Sequence, residues 1–577
     1  MKIKFQFDAL WRHGFFVVPM IASILLVTEK PAIAGTWTSL STTAPDNVEL
    51  MLLLSDGTVM AANAYTSGGS YGNAWYTLTP DSTGHYVNGT WTSRTSAAYT
   101  RLWCSSQVLQ DGRVFVAGGE YGTGGATSEI YDPVANSWTT LTVPAGLLFT
   151  GASGDTANSA FRDSGSILLP NGTVLIAPVF PASANRTIIY DPVANSWSQG
   201  PAYLSSQNEA SWLKLPDDSI LTVDKNSTLS ERFIPSLNTW VRDATVPTTL
   251  YGYGSEMGPA FLLPDGRAFF IGATNHTALY TPSPLGGTNA GSWVAGPNLP
   301  NNGAVPDGGA CMMVNGKILC AIGPMGTPGT HFPTPTSFYE YDYTVGATGS
   351  FTQVNSPTGG LTDGIPTYQA LMLALPDGNV LYSHFGNQLY VYSPSGSPIA
   401  AGKPTISNII QNSDGSFHLT GTKLNGISQG ASYGEDAQMD SNYPLVRVTD
   451  GGGNVSYLRT YNWSSTSVAT GFSSVSTDFS GASLSPGNYS LVLVANGIAS
   501  DPWSFTGPVW VQFNYGGIFQ FGTFSLPYKT LAGGVGAVSA GGLINIKSGS
   551  STETMTITKA MDIHAFGGPV DIGHGNP

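Results

Sequence analysis

The eight residues Tyr-Asp-Pro-Val-Ala-Asn-Ser-Trp occur twice without change, at Tyr131–Trp138 and again at Tyr190–Trp197. Each copy predicts a strand that ends in an aspartate–proline turn and is followed by a tryptophan. Looser copies of this unit end at Trp91, Trp240, Trp293 and, with another aromatic residue, at Phe351. Recurrence at roughly 45–60 residues is typical of the blades of a β-propeller. We expect the tryptophans to pack between neighbouring blades and to take no part in catalysis.

A second repeated unit, two apolar strands joined by a tight turn, gives the number of blades. The turn residues are of the kinds that tolerate positive φ. They lie at Asp56-Gly57, Asp111-Gly112, Asn171-Gly172, Asp217-Asp218, Asp265-Gly266, Asn315-Gly316 and Asp377-Gly378. Seven turns predict seven blades. We expect the tryptophan-containing strand at residues 35–41 to complete the last blade, because ring closure protects the sheet edges.

The composition and the remaining spacing predict an all-β chain of several domains. Glycine (71 of 577 residues) and proline (38) are abundant, and only 10% of residues are charged while 11% are aromatic. This composition suits short strands and tight turns better than helices. We predict a seven-bladed propeller over residues 35–400, an immunoglobulin-like sandwich over 401–508 and a short parallel-β-helix-like tail over 509–577.

The first 34 residues have the pattern of a signal peptide. Lys2, Lys4 and Arg12 precede the apolar run 14–27, and Ala32-Ile33-Ala34 supplies small residues where signal peptidase cleaves. The run is shorter than the ~20 apolar residues that span a bilayer. We therefore expect a secreted, extracellular chain that begins at residue 35 and has no transmembrane segment.

The net charge narrows the choice of partners. Without residues 1–34 the chain keeps 18 basic and 34 acidic residues, so its formal charge is −16. An acidic surface of this kind repels nucleic acid and anionic membranes. Neutral sugars and cations are better candidates.

Two of the three cysteines are placed for a possible disulfide. If Asn315-Gly316 forms a two-residue turn, Cys311 lies directly opposite Cys320 in a hairpin. Such a non-hydrogen-bonded pair has a short Cα separation that a disulfide can bridge. In an exported chain this favours a disulfide over two buried free thiols, and Cys104 is not part of the pair.

The order of signal peptide, propeller and sandwich resembles the galactose oxidase and glyoxal oxidase family, which are extracellular kelch-repeat enzymes. Thr367-Tyr368-Gln369-Ala370 matches the place where the family carries a Tyr-His pair of copper ligands. The segment 432–438, Ser-Tyr-Gly-Glu-Asp-Ala-Gln, looks like the sandwich loop that carries the second histidine ligand. The resemblance implies a copper-radical oxidase of primary alcohols or aldehydes.

At the key positions the sequence departs from the family. Gln369 and Gln438 stand where the resemblance requires the two histidines, and a glutamine amide is a poor ligand for Cu(II). Arg162 and Asp163 stand where the resemblance places the radical tyrosine, while Cys104 matches the cysteine that would bond to it. We therefore expect an oxidase-like protein without copper-radical activity, and no cofactor. If the copper ligands lie at other positions of this sequence, we expect a copper cofactor.

The residues eight or nine places before each turn are expected to lie together at one rim of the propeller channel. The predicted rim comprises Trp103, Cys104, Arg162, Asp163, Asn208, Glu209, Glu256, Asp307, Tyr368 and Gln369, with Gln438 covering it from the sandwich. Aromatic rings beside carboxylates and amides suit a sugar, and the carboxylates could also bind Ca2+.

The predicted function is therefore binding of an extracellular carbohydrate or surface partner at the propeller–sandwich face. The alternatives are the copper oxidase already described and, less favoured, a hydrolase that uses two rim carboxyl groups about 5–10 Å apart as acid and base. The sequence identifies no catalytic residue and no metal ligand set.

Overall fold

The computed structural model of the chain describes residues 34–66, 69–144, 146–147, 161, 164–177, 186–207, 210–428, 442–481 and 484–573. The predicted signal peptide lies outside this part of the chain except for Ala34. Residues Gly35–Pro577 belong to one compact unit. No helix in the described ranges combines the length and the apolar character needed to cross a membrane.

The first two thirds of the described chain is built almost entirely of short antiparallel strands. In chain order they are β1 (Thr36–Ser39), β2 (Val48–Leu53), β3 (Val59–Asn63), β4 (Trp75–Thr79), β5 (Thr90–Arg94), β6 (Arg101–Leu102), β7 (Ser105–Val108), β8 (Val114–Ala117), β9 (Tyr121–Gly122), β10 (Ser128–Asp132), β11 (Ser137–Leu141), β12 (Gly165–Leu168), β13 (Val174–Ala177), β14 (Arg186–Asp191), β15 (Ser196–Ala202), β16 (Leu213–Lys214), β17 (Ile220–Val223), β18 (Ser230–Ile234), β19 (Thr239–Arg242), β20 (Ala260–Leu262), β21 (Ala268–Ile271), β22 (Thr277–Thr281), β23 (Ser292–Ala295), β24 (Gly303–Ala304), β25 (Ala310–Met312), β26 (Ile318–Pro324), β27 (Thr336–Asp342), β28 (Ser350–Val354), β29 (Thr362–Asp363), β30 (Leu371–Ala374), β31 (Val380–Ser383) and β32 (Tyr390–Ser393).

These strands form a propeller of antiparallel sheets, one for each predicted turn. The sheets run β2-β3-β4-β5, β7-β8-β10-β11, β12-β13-β14-β15, β16-β17-β18-β19, β20-β21-β22-β23, β25-β26-β27-β28 with β24 and β29 alongside, and β30-β31-β32-β1, while β6 pairs with β9. First strands of neighbouring sheets pack together, as β2 does with β30 and β7 with β12. These inner strands therefore surround the channel.

The N-terminal strand completes the last sheet, as predicted. β1 pairs antiparallel with β32, with Trp37 opposite Tyr392. The Trp37 ring lies 5.4 Å from Phe338 in the preceding sheet, and Trp138 lies 5.1 Å from Trp75 in the sheet before its own. The repeated tryptophans thus pack between neighbouring sheets.

Every inner hairpin uses the same loop, which is one residue longer than expected. In the first sheet the Leu54 N–H donates to the Thr58 carbonyl at 2.8 Å, and the Gly57 N–H donates to the Leu54 carbonyl at 3.0 Å. The last loop residue lies in the left-handed region, with φ between +78° and +89° at six glycines and +65° at Asp218. This is a type I turn closed by a glycine bulge.

The extra loop residue makes the disulfide prediction wrong. Cys311 is opposite Leu319, and Cys320 is opposite Ala310. A shift of one residue turns the two cysteine side chains to opposite faces of the sheet. Cys311 and Cys320 are both free, all three cysteines are buried, and burial raises the pKa of the Cys311 and Cys320 thiols.

We expect none of these thiols to react in the folded protein. Iodoacetamide should modify no cysteine under native conditions, because the attacking species is the thiolate and all three sulfurs are buried. After unfolding without reductant, mass spectrometry should show three labels per chain. A single label in the unfolded protein would mean that Cys311 and Cys320 are joined.

A β-sandwich follows the propeller. Its strands are β33 (Thr405–Gln411), β34 (Phe417–Thr422), β35 (Leu445–Thr449), β36 (Val455–Leu458), β37 (Thr460–Tyr461), β38 (Ser474–Phe479), β39 (Gly487–Ala495), β40 (Ile498–Ala499) and β41 (Trp503–Gly507). One sheet has the order β33-β34-β38-β37, and the other has β36-β35-β39-β40 with β41 beside β39. Buried Leu419, Phe479, Leu493 and Phe505 fill the space between them.

The C-terminal segment is parallel, as predicted for a β-helix-like tail. β42 (Val509–Val511), β43 (Gly542–Ser551) and β44 (Met561–Ile572) form one parallel sheet, and α1 (Leu531–Ala537) packs on it. The sequence did not predict α1. Short 3-10 helices lie at Pro235–Leu237, Tyr253–Ser255, Pro300–Asn302, Thr367–Gln369 and Ala400–Gly402.

The described sandwich residues contact the propeller at its turns. The Thr460 N–H donates to the Ser55 carbonyl at 3.1 Å, and the Ser467 hydroxyl donates to Asp218 Oδ2 at 2.9 Å. The predicted rim precedes the inner strands, whereas these turns follow them. The expectation that the rim lies on the propeller–sandwich face is therefore wrong for the described contacts, and Gln438 lies outside the described residues.

Candidate functional site

Five of the predicted rim residues surround one end of the channel, which we call the mouth. They are Trp103, Glu256, Asp307, Tyr368 and Gln369. Tyr368 and Gln369 lie in the short helix directly before β30, where the Gln369 amide donates to the Tyr368 hydroxyl at 3.4 Å. The Trp103 and Tyr368 rings meet edge to face at 5.7 Å, although they come from different sheets.

Aromatic side chains form a continuous surface at the mouth, which we call the aromatic wall. It consists of Tyr65, Tyr71, Trp103, Tyr121, Tyr368 and Phe385. Trp103 is its centre, because its ring lies 5.5 Å from Tyr121 and 6.2 Å from Phe385 as well as contacting Tyr368. Trp103, Tyr368 and Phe385 are half-buried, so their outer faces are accessible.

The outer part of the aromatic wall is exposed. Tyr71 stacks on Tyr121 with ring centres 5.5 Å apart and planes at 21°. Tyr65 lies 5.7 Å from Tyr71 and 6.1 Å from Phe385. Tyr65 and Tyr121 are each more than a third exposed. A ligand can therefore reach the rings from solvent.

A second series of rings leads from the aromatic wall to the carboxyl groups. Phe332 lies 5.1 Å from Tyr368 and 6.4 Å from His331, whose ring stacks on Tyr253 at 6.4 Å. A methyl group on Gly254 would lie 2.9 Å from Glu256 Oε1 and 3.2 Å from His331 Nδ1. Glu256 Oε1 and His331 Nδ1 are therefore no more than about 6 Å apart, and only a glycine at position 254 leaves room for both.

Glu256 and Asp307 form a hydrogen-bonded carboxyl pair. Burial raises the pKa of Glu256, the charge of Glu120 adds to the increase, and the Asp307 hydrogen bond and Lys225 oppose it. Glu256 Oε2 is buried and has no hydrogen-bond partner among the described residues. Glu256 therefore holds a proton more tightly than an exposed glutamate does.

Three mouth residues have left-handed backbone conformations although none is glycine. Their φ angles are +53° at Trp103, +51° at Asp307 and +65° at Phe385. Bulky residues rarely adopt this region, and the associated strain concentrates at functional sites. The three loops hold these side chains at the mouth at a cost in backbone energy.

The described residues do not match the copper ligands of the galactose oxidase and glyoxal oxidase family. Tyr368 supplies a phenol, but its neighbour Gln369 supplies a neutral amide, whereas Cu(II) sites of this kind use imidazole. No group of three or more His, Cys, Asp or Glu side chains in the described ranges is placed to hold a metal ion. Cys104 is 1% exposed and packs in the core rather than at the mouth surface.

Five predicted site residues lie outside the described part of the chain. They are Arg162, Asp163, Asn208, Glu209 and Gln438. The predictions for these residues are therefore not tested.

Counting backward from the turns missed the mouth residues that follow the second strand of three of the sheets. Tyr65 is eight residues after Gly57, Tyr121 is nine after Gly112, and Phe385 is seven after Gly378. Because the two strands of a hairpin are antiparallel, the end of the second strand lies beside the start of the first. Counting forward from each turn, as well as backward, would have found the outer aromatic wall.

Comparisons with known proteins give a likeness in fold but none in sequence. No family model and no curated protein matches the chain. A fungal alcohol oxidase of the AA5 family, in complex with copper, superposes with a TM-score of 0.50 and 16% identity, covering 82% of this chain and 99% of that one.

Two lyases give weaker matches. A streptogramin B lyase matches with a TM-score of 0.41, 11% identity and 63% of this chain against 100% of that one. A virginiamycin B lyase from Staphylococcus aureus, with quinupristin, gives 0.39, 9% identity and the same coverage. The chain has a galactose oxidase-like fold, in which a β-propeller is followed by a β-sandwich.

Proposed function

We propose that the mouth binds an extracellular carbohydrate. The observation that carries this proposal is the aromatic wall, centred on Trp103 and reaching solvent at Tyr65 and Tyr121. Sugar rings present apolar C–H faces that pack on aromatic rings, and their hydroxyls need hydrogen-bond partners. Gln369, Glu256 and Asp307 supply amide and carboxyl partners beside the rings.

Export belongs to the same proposal. Basic residues, an apolar run of about 14 residues and the Ala32-Ile33-Ala34 site support cleavage after residue 34. Mass spectrometry of the protein recovered outside the expressing cell should give an N-terminus at Gly35. A chain retained in the cytoplasm with residues 1–34 intact would contradict export without bearing on the mouth.

Removing aromatic rings from the mouth should abolish most carbohydrate binding. We expect Trp103→Ala and Tyr121→Ala each to weaken binding by about tenfold or more, since central aromatic anchors dominate such sites. A glycan array would identify the best glycan, and calorimetry would then compare the variants with the wild type.

A matched control is Phe472→Ala, which removes a ring that is 90% exposed on the sandwich. Its affinity should equal that of the wild type. Unchanged affinity in both mouth variants would place the binding surface elsewhere, where a surface partner rather than a glycan is the next candidate.

The second candidate function is oxidation of primary alcohols. The likeness in fold to a copper-bound alcohol oxidase favours it, as does Tyr368 at the expected ligand position. Loading the protein with Cu(II), removing excess metal and measuring bound copper and peroxide release from alcohols and aldehydes tests it. Stoichiometric copper together with peroxide would establish the oxidase and overturn the view that Gln369 disables the site.

The described carboxyl groups argue against a hydrolase. Glu256 and Asp307 are hydrogen-bonded to each other, whereas the acid and base of a glycosidase stand about 5–10 Å apart. A hydrolase would therefore need a partner outside this pair, such as Asp163. Ca2+ remains a proposal on oxygen chemistry alone, and calorimetric titration with Ca2+ would test it.

A further inference from the structure

A series of aromatic side chains crosses the mouth without a break, and we call this series the aromatic band. The centre of each ring lies 5.1–6.4 Å from the centre of the next. The loops that carry the rings adjoin five different sheets. In order along the band, the residues are Tyr65, Tyr71, Tyr121, Trp103, Tyr368, Phe332, His331 and Tyr253.

No residue of the aromatic band is buried, which distinguishes it from the aromatic residues of the core. Tyr65, Tyr121 and Tyr253 are 36%, 38% and 49% exposed. By contrast, Tyr190 and Tyr280, which pack between the sheets, are 1% and 0% exposed. Rings that only stabilise the fold are buried in this second way, whereas a contiguous exposed apolar surface marks a binding site. The band is therefore arranged to contact a ligand.

The aromatic band is longer than a single sugar unit can cover. Both of its ends, Tyr65 and Tyr253, are exposed side chains, so a ligand can extend past each of them. A ligand that uses the whole band must repeat an apolar face at a similar spacing, as a linear polysaccharide does. Single-stranded nucleic acid also repeats planar faces, but residues 35–577 carry 34 acidic and 18 basic side chains, which repel its phosphates.

The ring planes turn along the aromatic band, which favours a single chain over a flat ligand. Tyr71 and Tyr121 have planes at 21°, whereas the planes of Trp103 and Tyr368 meet at 88° and those of Phe332 and Tyr368 at 75°. A crystalline polysaccharide face would need coplanar rings. In a β-1,4-linked glucose chain each unit presents C–H groups on both faces, and rotation at the linkages lets successive units follow rings of different orientation.

Resting on the proposed carbohydrate function, we infer that the ligand is a single chain of an extended, neutral, β-linked polysaccharide, which lies along the aromatic band with successive sugar units on successive rings. Trp103 contacts a unit near the middle of the chain, and Tyr65 and Tyr253 contact units towards its two ends. The polysaccharide therefore passes over the mouth instead of ending in it, and affinity rises with the number of linked units.

The test compares oligosaccharides of one sugar that differ in length and in linkage. Cellotriose, cellohexaose and maltohexaose are titrated into the protein by calorimetry. Cellohexaose should bind at least about tenfold more tightly than cellotriose, because each added unit gains a contact with another ring. It should exceed maltohexaose by a similar factor, because the α linkage coils a chain of the same composition and prevents it from reaching both ends of the band.

Variants at the two ends of the aromatic band test its length. Tyr65→Ala and Tyr253→Ala should each weaken cellohexaose binding by about threefold or more and leave cellotriose binding within about twofold, because a trisaccharide binds at the centre. Trp103→Ala should weaken the binding of both. Phe472→Ala, which removes a ring that is 90% exposed on the sandwich, should change neither.

The outcomes separate this inference from the proposed function. Equal affinity for cellotriose and cellohexaose, or a cellohexaose affinity that neither end variant lowers, would overturn the polysaccharide inference and leave carbohydrate binding intact. Tighter binding of maltohexaose, or failure of cellohexaose while other glycans bind on an array, would also overturn it. No binding of any glycan would contradict the proposed function itself and make a proline-rich peptide the next ligand to test on the band.

Discussion

Replacement of Arg232 by methionine should destabilise the propeller by about 3–5 kcal/mol, because it leaves a buried carboxylate without its counter-ion. Arg232 lies in β18 with its side chain 2% exposed, and its Nε donates to Asp243 Oδ2 at 2.6 Å. The same guanidinium donates to the carbonyls of Gly287 and Asn289, at 3.1 and 2.8 Å. All of these acceptors lose a donor in the variant.

Urea unfolding of the wild type and the variant measures this loss as a change in the free energy of unfolding. Arg267→Met is the matched control, since Arg267 pairs with Asp265 in the turn of the next sheet, where the two side chains are 22% and 33% exposed. Exposed pairs are worth about 0–1 kcal/mol. Equal destabilisation in both variants would contradict the buried role of Arg232.

A double variant separates the effect of the unpaired charge on stability from the effect of the lost packing. Arg232→Met with Asp243→Asn removes both charges, while the asparagine oxygen still accepts from the Gly291 N–H, as Asp243 Oδ1 does at 3.0 Å. The double variant should recover part of the stability lost in the single one. A double variant that is less stable than the single one would show that Asp243 is not destabilising when left alone.

The propeller could be predicted because each sheet repeats the same local sequence requirements at its turn. Positive φ selects Gly, Asn and Asp at the turns, and this requirement does not depend on distant contacts. The same counting placed Trp103, Glu256, Asp307 and Tyr368 at the mouth. What it could not give was the loop length, and one additional residue was enough to separate Cys311 from Cys320 in register.

The buried charges could not be predicted, because they depend on partners far along the chain. β18 reads Ser-Glu-Arg-Phe-Ile, and a strand with two adjacent charges is ordinarily exposed on at least one face. Here every residue is buried, since Asp224 and Asp243 lie on either side of it. The outer aromatic wall was missed for a different reason, because positions were counted only backward from each turn and Tyr65, Tyr121 and Phe385 follow the turns.

Glu231→Gln should remove a fall in stability of up to about 3 kcal/mol that the wild type shows between pH 5 and pH 8. Glu231 is fully buried, and burial raises its pKa from 4.5 to about 7, with the hydrogen bond and charge of Asp224 adding to the effect. The folded protein therefore holds a proton on this pair that the unfolded chain has already released.

The direction of this change in stability with pH follows from proton linkage. Between pH 4.5 and about 7 the folded state binds more protons than the unfolded state, so stability falls as pH rises through this window and stays lower above it. The difference between the two pKa values corresponds to about 3 kcal/mol. Glutamine has the shape of the protonated acid and cannot ionise, so the variant should lose this dependence.

A buried glutamate in another sheet provides the contrast. Glu129 lies at the matching Ser-Glu position of β10, but it pairs with Arg101 at 2.9 Å instead of facing a second carboxyl group. Glu129→Gln should therefore destabilise at both pH values, because it leaves a buried arginine uncompensated. Urea unfolding at pH 5 and pH 8 measures the free energy of unfolding of both variants and the wild type. If Glu231→Gln and the wild type show the same change between the two pH values, Glu231 does not hold the extra proton.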